Sequence, residues 1–307
     1  MERSSSFKTH DPERFLFAVP KKGRLYNKCL KLLEGAGIDF FRPNRLDIAQ
    51  CSSLPLTLVF LPAKDIGLYV SEGMVDMGIT GEDIIQESGA DVNLVLKLGL
   101  GKCKLCLQAP VPHKIKSAED LVGKRIVTSF TKLAKEYFDK FPNGETTKIN
   151  YVSGSVEAAC GLGLADGIVD LVETGTTMRA AGLEVVETIM STQSVLISNK
   201  KTRHIDMIEK LKKRFESYQM AMKYDMMLYN VSAKNLDEAK KITPGMKAPT
   251  IMELSSVNDS DGEDDKWYAI QVMVLKKDTG QIMDDLSDLG ATGILVMEIK
   301  NCRTSAR

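Results

Sequence analysis

The chain holds three histidines and one tryptophan in 307 residues, and no surplus of either charge. His10, His113 and His204 all lie away from the loops that read as a site, which argues against a His-based catalytic triad. Lys plus Arg number 41 and Asp plus Glu number 41, so no bulk field attracts a nucleic-acid backbone or an anionic membrane. Any anionic ligand must then be met by a local site. No stretch approaches the ~18 uncharged apolar residues of a membrane span, and the opening MERSSSFKTHDPERF mixes acids with bases and lacks a signal-length apolar run. A cytoplasmic protein is expected. The six cysteines are scattered, and Cys103-x-x-Cys106 has no second CxxC or histidine partner at zinc spacing, so all read as reduced structural thiols. The phosphate-loop pattern GxxxxGK[ST] is absent, and Gly99-Leu-Gly101 continues into Lys-Cys-Lys instead of completing GxGxxG. Kinase and dehydrogenase readings lose their support.

What is present fits a globular chain of about two domains with room for a small third. Hydrophobic residues make up 43% and charged residues 27%, which disfavours collagen-like, coiled-coil and disordered classes. The first two-thirds alternates short apolar strands with helices, the mark of an α/β domain. Strands are expected at 15–19, 56–61 and 75–79, with helices at 23–33, 65–72 and from 82. A second unit shows strands at 125–128, 148–152 and 168–172 and helices at 156–164 and 177–181. The strand at 195–198 can return to the first unit and so build a cleft. Ile205, Ile208, Leu211, Phe215, Tyr218 and Met222 then recur three or four apart along one connecting helix. The tail runs strand, helix, strand, strand, helix, strand, a ferredoxin-like βαββαβ plan. Its acidic stretch SSVNDSDGEDDK fails as a calcium loop: with Gly262 at the sixth position, Val257 and Tyr268 fall where oxygen ligands are required, so it reads as a solvated hairpin loop.

The most informative segment is GIVDLVETGTTMRAAGL at 167–183. An apolar strand bearing Asp170 runs into Glu173, Thr174, Gly175, Thr176 and Thr177, after which a helix can begin. Converging backbone N–H groups and threonine hydroxyls suit a phosphate monoester. The neighbouring carboxylates can accept hydrogen bonds from ribose hydroxyls or hold a Mg²⁺ that arrives with the same ligand. A plain helix cap would use the same residue types. At the first strand-to-helix turn, Pro20-Lys21-Lys22-Gly23-Arg24 places cations where open α/β sheets bind ligands, and Arg45 adds another; a solvated charged face is the competing reading.

The segments PKKGRL (20–25), NRLDIA (44–49), VDMGITGEDII (75–85), GKRIVTSF (123–130), YVSGSVEAACGLGLADGIVDLVETGTTMRAAGL (151–183) and LGATGILVMEI (289–299) together resemble the long form of the ATP phosphoribosyltransferase family. The resemblance implies an α/β, two-lobed, periplasmic-binding-protein-like core with a cleft active site, and a C-terminal ferredoxin-like regulatory domain. It divides the chain into lobe I (14–105 and 191–219), lobe II (106–190) and a regulatory domain (220–307). It further implies transfer of phosphoribosyl from phosphoribosyl pyrophosphate to N1 of ATP, the first step of histidine biosynthesis, with Mg²⁺ as cofactor. L-histidine is implied as inhibitor, and a hexamer built from dimers as the assembly. Carried onto this chain, Lys21, Arg24 and Arg45 are the catalytic cations, and Asp170 with Glu173 to Thr177 binds phosphoribosyl pyrophosphate. Gly81 and Glu157 are assigned to the nucleotide, and no protein-only metal site is expected. Many family members carry an arginine just before the Asp65-Ile66 pair, where this chain has Lys64. A two-lobed cytosolic anion binder without catalysis is the alternative; a DNA-binding regulator is disfavoured because no basic recognition module is visible.

Overall fold

A run such as Phe15-Leu-Phe-Ala-Val19 is apolar at every position, so it suits a strand covered on both faces by helices, with parallel neighbours. The computed structural model describes residues 14–42, 46–255 and 266–303. Its elements are β1 (Phe15–Pro20), α1 (Tyr26–Gly35), β2 (Ile48–Gln50), β3 (Leu56–Leu61), α2 (Ala63–Ser71), β4 (Met77–Gly81), α3 (Glu82–Ser88) and β5 (Asn93–Lys97). Next come β6 (Cys103–Pro110), β7 (Arg125–Thr128), α4 (Thr131–Phe138), β8 (Lys148–Tyr151), α5 (Ala158–Gly161), β9 (Gly167–Val172), α6 (Thr176–Ala180), β10 (Leu183–Thr192) and β11 (Ser194–Ser198). The chain closes with α7 (Ile205–Lys223), β12 (Tyr224–Ser232), α8 (Leu236–Ile242), β13 (Thr250–Glu253), β14 (Trp267–Leu275), α9 (Thr279–Asp288) and β15 (Thr292–Glu298). Met1–Lys212 and Lys213–Arg307 form two compact units.

The first unit contains two sheets. One has the order β2-β3-β1-β4-β11-β5, with β1 parallel to β3 and β4, and β11 antiparallel to β4 and β5. Its strand β1 is sealed because Phe15, Phe17 and Val19 are buried, as are Cys29, Leu32 and Leu33 of α1. On another side Ala18, Ile66, Val70, Val195 and Ile197 form a cluster. Each such side chain contributes about 1.5–3 kcal/mol when fully buried. Gly78 marks a close helix approach: a Cβ there would lie 2.5 Å from Ile66 Cγ2 and 3.0 Å from Val70 Cγ2 of α2.

The other sheet has the order β10-β6-β9-β7-β8, with β7 parallel to β8 and β9, and β6 antiparallel to β9 and β10. Leu105, Leu107, Phe130, Phe138 and Val169 are buried in one cluster of this lobe, and Ile84 of α3, from the first lobe, packs against it. The chain crosses between the lobes twice, from β5 to β6 and from β10 to β11. The crossings lie side by side: the Ser194 N–H donates to Leu100 O at 2.9 Å and the Leu98 N–H to Ser194 O at 2.9 Å. This is the two-lobed α/β plan expected from the sequence, with β11 returned to the first sheet.

The second unit carries the antiparallel sheet β13-β14-β12-β15 in a βαββαβ chain order, the ferredoxin-like arrangement. Met227, Tyr229, Val231, Ile270, Val272 and Leu286 make its core. The acidic stretch assigned to a hairpin loop has residues 256–265 outside the described residues, as does Arg45.

Candidate active site

The loop after β9 is shaped by one glycine. Gly175 has φ +74, the left-handed region that glycine enters without a steric penalty, and it precedes α6. The first-turn N–H groups of α6 have no intrahelical acceptor, and the Thr176 N–H donates weakly to Thr174 Oγ1 at 3.5 Å. The Thr174 and Thr176 hydroxyls lie 3.0 Å apart, and Arg179 Nη2 donates to Thr174 O at 3.1 Å, bracing the turn. Arg24 joins Leu171 to Met178 around a small cavity of about 320 Å³. A larger groove of about 800 Å³ continues from Glu173–Gly175 to the crossing strands, where Lys97, Lys102, Lys104 and Glu82 line it.

The acids beside the loop are under different stresses. Burial pushes the Asp170 carboxyl above its ordinary value; a Leu171 backbone hydrogen bond opposes that, the Glu157 charge adds to it and Arg24 counters it. The Glu157 charge therefore acts on Asp170 in the same sense as burial, and a cation at this end of the strand would oppose both. Glu173 lies the other way: its hydrogen bond from Lys28 Nζ, 2.7 Å long, holds its carboxyl below the usual range. Among the described residues no three or more His, Cys, Asp or Glu side chains converge as a metal site. Mg²⁺ is commonly held by one or two carboxylates together with substrate phosphates, and a carboxylate such as Asp170, on the strand that leads into the phosphate loop, suits that donor set.

Of the cations, Arg24 faces the loop. Lys21 instead pairs with Asp47 at 3.3 Å, and Arg42 pairs with the same carboxylate at 3.3 Å while stacking 3.8 Å from the Phe60 ring centroid. Gly81 ends β4, where an added Cβ would run into the Asp83 carboxylate. That carboxylate accepts from Thr192 Oγ1 at 2.7 Å, which ties α3 to the crossing strand. Lys64 is exposed on the first turn of α2. Sequence reasoning missed Lys28 and Arg179. Lys28 lies on the first turn of α1, four residues after Arg24 in the preceding turn, and that proximity to the first cation cluster was a readable signal; nothing local marks Arg179 as a brace. Cys103 and Cys106 are buried free thiols whose ionisation is pushed up by burial, so they are poor nucleophiles.

The loop, its flanking acids and its cation come from the segments noted in the sequence. Residues 62–217 match the family model described as ATP phosphoribosyltransferase, and residues 221–301 match that of the HisG C-terminal domain. The chain belongs to the ATP phosphoribosyltransferase family. The family member from Debaryomyces hansenii is 50% identical over 301 residues, covering 96% of this chain and 98% of that protein. The Saccharomyces cerevisiae member is 47% identical over 299 residues, covering 96% and 98%. Among solved structures, the ATP phosphoribosyl transferase (HisG:HisZ) complex from Thermotoga maritima matches with a TM-score of 0.55 at 26% identity, covering 66% of this chain and 98% of that one.

Proposed function

We infer that this chain joins N1 of ATP to C1 of phosphoribosyl pyrophosphate and releases pyrophosphate, the first step of histidine biosynthesis. The observation that carries the reading is the Glu173–Thr177 turn, whose left-handed Gly175 presents donors to a phosphate while Arg24 and two acids flank it. Adenine N1 supplies the electron pair for the new bond to C1, and the C1–O bond breaks with its pair going to pyrophosphate. Both partners are anions, so the protein's work is to align them and stabilise the departing charge, more than to supply a strong base. In this reading the loop holds the 5′-phosphate and Asp170 and Glu173 accept from ribose hydroxyls. Arg24, with Lys21 and Arg45, is assigned to the leaving group, while Gly81 and Glu157 are assigned to the nucleotide. Asp170 would hold Mg²⁺, which when bound neutralises phosphate charge.

The catalytic lobes are taken to meet at residues 98–102 and 193, because β6 and β10 lie wholly in the second sheet. The domain after α7 is proposed to bind L-histidine and inhibit. Leu295, Met297 and Met252, exposed by 60%, 50% and 50%, are apolar surface suited to association into a hexamer of dimers. Six unpaired cysteines suit a reducing cytoplasm, and among the described residues no helix is long and apolar enough to cross a membrane.

Two variants test the loop by titration with phosphoribosyl pyrophosphate. Thr177→Ala removes one hydroxyl donor to a charged acceptor, a loss of about 1.5–3 kcal/mol. Gly175→Val adds backbone strain and blocks close approach, so it should weaken binding further. Unchanged affinity in both would remove the loop from the site.

A further inference from the structure

Lys28 lies on α1, in the lobe built on the first sheet, and Glu173 opens the phosphate loop of the other lobe, 145 residues later. Their side chains meet at 2.7 Å, with relative exposures of 40% and 38%. Arg24, in the turn just before α1, lines the loop cavity as well, so this end of the first lobe brings two cations to the loop. Glu173 poses a difficulty for a phosphate site. A carboxylate at the mouth of the donor turn repels the dianion that the turn is shaped to accept. The Lys28 hydrogen bond lowers the Glu173 pKa, which favours the charged acid. A half-exposed pair of this kind contributes little to the stability of a fold.

We propose that Lys28 is a positioning residue for the phosphate loop: reaching across from the first lobe, it neutralises and orients Glu173, and so turns a mouth that would repel phosphate into one that admits it. The inference rests on the reading of the loop as the phosphoribosyl pyrophosphate site. It assigns to Lys28 an action through Glu173, distinct from that of Arg24, which faces the cavity itself. The pair also ties substrate entry to lobe approach, because its two members belong to different lobes.

The test is calorimetric titration of the full chain with phosphoribosyl pyrophosphate and Mg²⁺ at fixed ionic strength, using Lys28→Met, Lys28→Arg, Glu173→Gln and the Lys28→Met/Glu173→Gln double variant. Neighbouring charges that act through each other are non-additive. Lys28→Met should weaken binding about tenfold, while Lys28→Arg stays within about twofold of the parent. In the Glu173→Gln background, removing Lys28 should cost less than about twofold, because no charge is left for it to neutralise. The thermal midpoint should stay with the parent's. Equal losses in both backgrounds would make Lys28 a direct phosphate ligand and overturn the proposal, as would parental affinity in Lys28→Met or a collapsed midpoint. A parent chain that does not bind phosphoribosyl pyrophosphate would overturn the functional reading and this inference with it.

Discussion

Asp166 shows how a single residue, just before the strand that leads into the site, sets a measurable property of the fold. Its carboxylate receives Arg125 Nε at 3.1 Å, Arg125 Nη2 at 2.9 Å and the Arg125 backbone N–H at 2.9 Å, which fastens the start of β9 to β7. These bonds lower its pKa from 3.8 to about 2. For a carboxyl with a depressed folded value, the stabilisation is present above the unfolded pKa and disappears as pH falls through the folded one. Asp166→Asn should therefore unfold more easily than the parent at neutral pH, with the difference closing between about pH 4 and pH 2 in acid–urea titrations. A difference that stays constant across that window would dissociate Asp166 from the acid response. At this scale the sequence was informative where chemistry is local. Thr-Gly-Thr-Thr after an apolar strand specifies a donor turn from its own residue types, and Asp170 stands five positions before Gly175. Lys28 and Glu173 are 145 residues apart, so only the fold brings them together.

Elements join the lobes as well as single side chains. Glu87 at the end of α3 reaches the start of α4: its Oε1 accepts the Lys132 N–H at 2.9 Å and its Oε2 the Leu133 N–H at 2.9 Å. A carboxylate there satisfies helix donors and complements the helix dipole. Since α3 follows β4 of the first sheet and α4 packs in the second lobe, this cap fixes one lobe against the other. Removing it in Glu87→Ala should cost about 0.5–2 kcal/mol, read as a lower urea midpoint, with Glu87→Gln losing less. An unchanged midpoint in Glu87→Ala would mean that the cap does not carry the contact. The strands hardest to foresee were β6 and β10. Register shifts between Val185 and Glu187 and between Thr188 and Met190 break the alternation that exposes a strand to pattern reading. The helix expected at 156–164 is only Ala158–Gly161, because Gly161 and Gly163 follow too closely for it to continue. The tail was legible because its strands and helices are separated by clear changes of period.

In the molecule as a whole, a catalytic unit and a ferredoxin-like unit share one chain, joined along α7, which crosses the boundary between Lys212 and Lys213. A ligand of the tail can inhibit only if it binds the less active state more tightly. L-histidine should therefore slow amide exchange in the strands β12 to β15, lower turnover, and resist displacement by added phosphoribosyl pyrophosphate. Protection confined to residues 173–177, with inhibition relieved by substrate, would place histidine in the catalytic cleft instead. The balanced charge of the chain bears on this scale too, since the sequence supplies no general attraction for either anionic substrate and leaves recognition to local cations and N–H donors.

Incubation of the purified full chain with ATP, phosphoribosyl pyrophosphate and Mg²⁺, followed by ultraviolet absorbance and pyrophosphate release, tests the central claim most directly. An N1-substituted adenine has an altered chromophore, so absorbance should rise in step with pyrophosphate, only when both substrates are present, and fall strongly in Gly175→Val. Pyrophosphate release without ATP, or binding of both substrates with no change in absorbance, would contradict the account.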